Sequence, residues 1–403
     1  MNKPIRAVSI FCMFLFLALM ANVTYLQFWR AEDLNKDPRN ARVAAAAFSR
    51  ERGLIQVGED AIARSQPVDD QYKYLRVYPG KELYAPVTGY LQLGSQTGLE
   101  RSQNEVLSGE DPRLFVNRLV DLLKGDTNQG GNVSLTLDPK AQRAAYRALR
   151  DTVGPDGEGS VVAIQPKTGR ILAMVSFPSY DPNELASHDR DEREKAYDRL
   201  EADKHQPLLN RAIQTRLFPG STFKVVTAAA AIEAGVYNQD DQVPSGATWQ
   251  APGTSGEQNV IDNEGRSGCS PAEISFAAAM ENSCNTAFAK MAVKVGPDKL
   301  RETAEAFGFN SDYLTDLGPQ ARSVFPEDVV DTINGEKQDP RELNDAETAR
   351  SGFGQFSVQA TPLQMAMVVS ASLSSRGSCF SPLIVSTTSS GNTERACGPR
   401  SVR

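Results

Sequence analysis

The hydrophobic pattern divides the chain into stretches of different character. Lys3 and Arg6 precede an apolar run from Ala7 to Trp29, broken only by Ser9, Asn22, Thr24 and Gln27. As a helix that run spans roughly 34 Å, enough to cross a bilayer core. The pattern predicts a membrane anchor over residues 7–29 and a cytoplasmic tail over 1–6, kept inside by its basic side chains. Tyr25, Phe28 and Trp29 suit the far interface. A cleaved signal peptide is the rival reading; Ala18-Leu19-Met20-Ala21 is a weak cleavage candidate, and the apolar stretch continues past it. No second run of this kind follows, so everything after Arg30 is expected outside the cell membrane.

Residues 30–132 are polar and mixed, with turn signals at Tyr78-Pro79-Gly80 and Asn128-Gln129-Gly130-Gly131. Strand-like runs at Gly53 to Val57 and Lys73 to Val77 alternate with loops. This reads as a small pedestal or interaction domain. At Val133 the pattern changes. Val133, Leu135 and Leu137 alternate with polar residues as in a half-buried strand. Asp138 followed by Pro139 is an N-cap with proline at the first helical position, opening a helix to about Arg150. Two apolar strands, Gly159 to Gln165 and Arg170 to Phe177, flank a hairpin turn at Pro166-Lys167-Thr168-Gly169. Helices are predicted over Ser221 to Ala234, Pro271 to Glu281, Thr286 to Val295, Pro297 to Phe307 and Pro362 to Ser372. A hairpin followed by mostly helices predicts an α/β (α+β) domain over 133–371, with helices packed on an antiparallel sheet. Residues 372–403, rich in Ser, Thr, Gly and Arg, read as a divergent tail.

Composition narrows the chemistry. The chain has 403 residues, enough for two or three domains. A net charge of −7 argues against nucleic acid as a partner, because a phosphate-binding surface needs a basic excess. The two histidines, His188 and His205, are not in metal-ligand spacing, which disfavours a zinc site and a Ser-His-Asp triad. No cofactor is implied, and a base in this chain is expected to be a lysine or a carboxylate. Cys12 lies in the anchor, whereas Cys269, Cys284, Cys379 and Cys397 lie in the exported part, where disulfides persist. Cys269 and Cys284 bracket one predicted helix and are the preferred pair; two free buried thiols is the alternative.

Pro219-Gly220-Ser221-Thr222-Phe223-Lys224 leads into Val225-Val226-Thr227 and Ala228 to Ile232, a helix apolar nearly all round and therefore buried. Lys224 lies one helical turn from Ser221, on the same face. A serine hydroxyl is a weak nucleophile until a base takes its proton, and burial lowers a lysine pKa towards the neutral amine. An N-cap serine with a surface lysine would look the same locally; the apolar setting favours the nucleophile. Ser283-Cys284-Asn285 lies 283 − 221 = 62 residues downstream. It follows the helix opened by the capping-box pattern Ser270-Pro271-Ala272-Glu273. A loop there can present a hydroxyl and an amide to a buried Ser-Lys pair, and a plain polar helix–helix turn fits the local pattern equally well.

S-x-x-K followed by S-x-N resembles the active-site signature of penicillin-binding proteins and serine β-lactamases. Gly169 to Ser176 with Pro178-Ser179-Tyr180-Asp181-Pro182, Asn210-Arg211-Ala212, and Gly352-Phe353-Gly354-Gln355 through Gln364 extend the resemblance over about 159–369. With its anchor and pedestal, the chain is similar to class B transpeptidases, particularly the actinobacterial penicillin-binding protein A type. The resemblance implies acyl transfer. Ser221 attacks the D-Ala-D-Ala carbonyl of a peptidoglycan stem peptide, Lys224 takes its proton, Ser283 helps return it, and Asn285 holds the lysine or a substrate carbonyl. It also implies β-lactams as acylating ligands, and wall or division proteins as partners. One motif departs. The family's K-T-G lies after S-x-N, where it supplies one wall of the site, a substrate-carboxylate contact and one oxyanion N–H. Here Lys167-Thr168-Gly169 precedes Ser221, and no Lys/His-Thr/Ser-Gly follows Asn285. A truncated or frame-shifted end is the expectation, with the last strands of the sheet missing. The competing readings are a membrane-bound β-lactamase and a catalytically impaired scaffold.

Overall fold

The structure is a computed structural model that describes residues 3–30, 48–111, 130–333, 336–373, 382–388 and 391–392. Cys379 and Cys397 lie outside the described residues.

Helix α1, Lys3–Thr24, continues into a π-helical turn, Tyr25–Trp29. Its apolar side chains are exposed; Phe14 and Phe16 are 67% and 66% exposed. Leaving such a side chain in water forgoes about 1.5–3 kcal/mol, so this helix is built for lipid. It is the one helix among the described residues long and apolar enough to cross a membrane.

The pedestal is organised by strands β1 (Ile55–Val57), β2 (Asp60–Pro67) and β3 (Tyr74–Val77), an antiparallel meander. Helix α2, Gly98–Ser102, brings Glu100 beneath it. Glu100 is wholly buried, as are Arg52 and Arg76, at 0%, 3% and 2% exposure. Arg52 Nε and Arg76 Nε each donate to one Glu100 oxygen at 2.7 Å. Arg52 Nη2 also reaches the Glu100 carbonyl, and Arg76 Nη1 the Gly53 carbonyl. Three segments with no local reason to meet are thereby locked together.

Strand β4, Val133–Leu135, was expected to open the catalytic domain. It instead pairs parallel with β1 and so belongs to the pedestal sheet. Its apolar face supplies the reason: Val133 and Leu135 share one core with Ile55, Val57, Leu99 and Leu107. Helix α3, Pro139–Val153, then starts as predicted, with the Asp138 side chain accepting from the N–H groups of Lys140 and Ala141. Strands β5 (Gly159–Ile164) and β6 (Ile171–Phe177) form the expected hairpin. Among the described residues β5 pairs with β6 alone. Buried Gln142 on α3 bonds both backbone groups of Met174 and so pins the helix to the hairpin.

Helix α4, Lys224–Glu233, runs through the centre of the domain. One side, through Ala228 and Ala231, packs into a core with Phe288, Met291 and Phe353. The other, through Val226 and Ala230, packs against Phe223, Leu300, Phe309 and Val368. Phe288 and Met291 belong to α6 (Asn285–Val295), Leu300 to α7 (Pro297–Ala306) and Val368 to α9 (Pro362–Ser372), with α5 (Phe276–Glu281) and α8 (Asp345–Ser351) alongside; Phe223, Phe309 and Phe353 come from the turns and loops between helices. The pattern placed α6, α7 and α9 to within a residue or two. It misplaced the start of α5. Residues Glu273–Ser275 form a strand paired with Gln242–Pro244, and the cap is Ser275, which accepts from the Ala278 N–H. Sheet pairing overrode the capping-box pattern at Ser270.

The tail expected to diverge after Ser372 is partly packed. Strand β7, Val385–Thr388, pairs antiparallel with β4, and β8, Gly391–Asn392, pairs with β7. Ile384 and Val385 are buried, and both their N–H groups donate to one Asp316 oxygen at 2.8 Å. The Leu383 backbone bonds Gly169 and Ile171, so this segment bridges the pedestal sheet and the hairpin.

Candidate active site

The predicted helix over Ser221 to Ala234 begins differently from expectation. Gly220–Phe223 is a 3₁₀ turn, and the α-helix starts at Lys224. The tighter turn brings residues i and i+3 nearly into line, which places Ser221 directly over Lys224. Phe223 points the opposite way, edge-on to Phe309 at 5.5 Å and stacked on Phe325 at 5.8 Å between centroids. This anchor fixes the turn. From the outside it is held by Gly354, whose carbonyl accepts from the Gly220 N–H at 3.0 Å. Gly354 has φ +75°, and a Cβ there would sit 2.2 Å from the Gly220 oxygen, so the approach requires glycine. Lower on α4, Thr227 Oγ1 donates to the Gly352 carbonyl at 2.6 Å.

The result is an exposed hydroxyl over a buried amine: Ser221 faces solvent, and Lys224 is 1% exposed. Lys224 Nζ lies 3.1 Å from Ser221 Oγ, 3.0 Å from Ser283 Oγ, 2.7 Å from the Ser283 carbonyl oxygen and 2.7 Å from Asn285 Oδ1. The carbonyl and Oδ1 can only accept. A neutral amine has two hydrogens and one lone pair, so these two acceptors take both hydrogens. The lone pair is then left for the hydroxyls, as a base requires. Desolvation lowers the Lys224 pKa to about 7, helped by the charge of Arg266 and opposed by that of Glu264. The neutral form is therefore well populated at physiological pH.

Ser283 and Asn285 are delivered by the break between α5 and α6. Ser283 has φ +53°, an unusual conformation for a side-chain-bearing residue that costs on the order of 1–3 kcal/mol. It turns the Ser283 hydroxyl and carbonyl to the same ammonium position. Asn285 starts α6, and its Nδ2 donates to the Asp262 carbonyl at 2.9 Å, which fixes its oxygen toward Lys224. Between them, Cys284 is disulfide-bonded to Cys269. The pair preferred from sequence is the pair formed.

All four residues singled out in the sequence meet at one amine. Two features went unread. Arg266 donates to the Ser283 carbonyl at 2.6 Å, and no motif marks it. Gly354 belongs to the Gly352-to-Gln364 segment of the family resemblance, but its approach to Gly220 is a tertiary contact. Lys167-Thr168-Gly169, as expected, is local turn structure: Gln165 accepts from the Thr168 hydroxyl and from the Gly169 N–H.

The family described as Penicillin binding protein transpeptidase domain matches residues 159–399, more than half of the chain. The chain belongs to the penicillin-binding protein transpeptidases. A second family, Penicillin binding protein A dimerisation domain, matches residues 52–133, the stretch read as a pedestal together with β4. This penicillin-binding protein is 42% identical over 387 residues to the Peptidoglycan D,D-transpeptidase PbpA of Mycolicibacterium smegmatis, covering 96% of this chain and 75% of the relative. It is 38% identical, at the same coverage, to the protein of that name from Mycobacterium tuberculosis. The structure of penicillin-binding protein A from M. tuberculosis as an imipenem acyl-enzyme complex is similar at a TM-score of 0.76 and 36% identity, over 88% of this chain and 79% of that one. Pseudomonas aeruginosa PBP2 is similar at 0.68 and 27%, over 86% and 74%. The transpeptidase match continues past Val369, where the resemblance was read to stop, so the packed segment carrying β7 lies inside the family's range.

Proposed function

We propose that this penicillin-binding protein is a membrane-anchored peptidoglycan D,D-transpeptidase with Ser221 as nucleophile, Lys224 as base, Ser283 as proton relay and Asn285 as the group that orients the base. The observation that carries this reading is one buried amine within 3.1 Å of two hydroxyls, its hydrogens committed to two acceptors. Ser221 Oγ attacks the carbonyl of the D-Ala-D-Ala bond while Lys224 takes its proton. The C–N bond breaks, and the proton passes through Ser283 to the leaving D-Ala amine. The amine of a second stem peptide then displaces Ser221 from the ester and completes the cross-link. A β-lactam enters the first half of the cycle and acylates the same oxygen. A pedestal over 30–132 followed by a transpeptidase domain from 133 is in keeping with the two family matches, over 52–133 and 159–399. The basic start of α1 favours a cytoplasmic N-terminus and a catalytic domain on the far side.

A β-lactamase needs a group that activates water against the acyl-enzyme. Among the described residues the hydrogen-bond partners of Ser221 and Lys224 are hydroxyl, amide and carbonyl groups, and the neighbouring Glu264 carboxylate is paired with Arg266. That favours the transpeptidase over the β-lactamase reading. No Lys/His-Thr/Ser-Gly follows Asn285 in this chain.

The test is a fluorescent penicillin applied to the detergent-solubilised chain. A stable adduct on the peptide carrying Ser221 is expected. Its rate of formation should rise with pH through about 7, as Lys224 loses its proton, and level off above. Rapid turnover of the adduct would favour the β-lactamase reading, and no adduct at any pH would favour the scaffold.

A further inference from the structure

We propose that Arg266 is a positioning residue of this site: it clamps the Ser283 carbonyl that orients Lys224 and sets a fixed cation behind the base. The inference rests on the acyl-transfer reading and adds a residue to it.

The geometry is specific. The Ser283 carbonyl oxygen accepts from Arg266 Nη1 at 2.6 Å and from Lys224 Nζ at 2.7 Å. One oxygen thus joins two basic side chains. Arg266 is itself held, with Nε donating to the Asn263 carbonyl at 2.8 Å and Nη2 to Glu264 at 2.7 Å. Asn263 is buried and bonds Gly246 and Thr286, the second residue of α6. The strut therefore runs from the base of α6 to the loop that precedes it. The Cys269–Cys284 disulfide closes the same loop from the other side. Ser283, at positive φ, sits between these two ties. A strained residue persists only where its surroundings over-determine it.

The chemistry follows from charge. With Lys224 neutral, the shared carbonyl takes one amine hydrogen and leaves the lone pair toward the hydroxyls. Once Lys224 has taken the Ser221 proton, two cations share one oxygen, and their repulsion favours passing the proton on to Ser283 Oγ at 3.0 Å. The groups facing Lys224 are Ser221 from its own turn, Ser283, Asn285 and the Phe288 ring from the α5–α6 side, and Arg266 and Glu264 from the neighbouring loop. Arg266 and Glu264 are the charged members and act with opposite sign on the lysine.

The experiment compares the full chain with Arg266→Gln, Arg266→Lys and Glu264→Gln. Two readouts are taken: the pH profile of penicillin acylation, and a nitrogen NMR titration of Lys224, assigned by its loss in Lys224→Met. Arg266→Gln is expected to move both midpoints upward by about half a pH unit or more and to slow acylation at pH 7 about twofold or more. Arg266→Lys keeps the charge and should leave the midpoint near that of the unchanged protein. Glu264→Gln should move it downward, and it serves alone if Arg266→Gln does not fold. A merely structural role would lower the rate at every pH and leave the midpoints in place. That result, or equal shifts for Gln and Lys at 266, would overturn the proposal. The NMR midpoint decides even where labelling is absent, whereas labelling that survives Ser221→Ala would sink the transpeptidase reading itself.

Discussion

Replacing Lys224 by methionine should lower the rate of β-lactam acylation at pH 8 by about a thousandfold or more, within the range a positioned general base contributes. Methionine keeps the length and packing of the side chain, and Lys224 is buried beneath the turn, so loss of the base is separated from loss of fold. Ser221 would retain its place on the 3₁₀ turn, held by Phe223 and Gly354. It would have no acceptor for its proton. Lys224→Arg should fail equally, because a guanidinium stays protonated at any working pH. Neither variant should show the rise in rate through pH 7. The check is a stopped-flow acylation series from pH 6 to 9. A Lys224→Met rate within tenfold of the parent would mean that another group takes the proton.

Glu100→Ala should destabilise the chain by about 3–5 kcal/mol, because it leaves two buried guanidiniums without a counter-charge. Burial pushes the Glu100 carboxyl up, but the charges and hydrogen bonds of Arg76 and Arg52 outweigh burial and hold it below the ordinary range. A carboxyl whose folded pKa is depressed contributes stability above its unfolded pKa and loses it as pH falls through the folded value. The contribution is therefore complete at neutral pH and lost only in acid. Glu100→Gln keeps the shape and some hydrogen bonds and should fall between. The measurement is urea unfolding at pH 7 in detergent, followed by near-ultraviolet circular dichroism. A Glu100→Ala midpoint equal to the parent's would show that the triad is not what joins these segments.

Much of this fold is readable from short-range pattern because the deciding interactions are short-range. The anchor declares itself by composition. Asp138-Pro139 caps α3 through N–H groups two and three residues on. The β5–β6 hairpin turns at its Pro-Lys-Thr-Gly, and Ser221 reaches Lys224 within one turn. Where local preference and tertiary pairing compete, the sequence misleads. Glu273–Ser275 has a helix-start pattern and forms a strand, because Gln242–Pro244 lies alongside to pair with it. The segment after Ser372 lacks periodicity, yet Ser386 bonds the Ser134 carbonyl across 252 residues. No window of sequence contains both partners.

The same division holds at the site. The sequence by itself pointed to Ser221, Lys224 and the Ser283/Asn285 loop, since residue types at helical and motif spacing match the family's signature. Only the tertiary structure decided how the four act together. Burial set the Lys224 proton, the left-handed backbone at Ser283 turned hydroxyl and carbonyl to one point, and Arg266 reached that carbonyl from a separate loop. These are distances and desolvation, properties of the packed chain that its order of residues does not state.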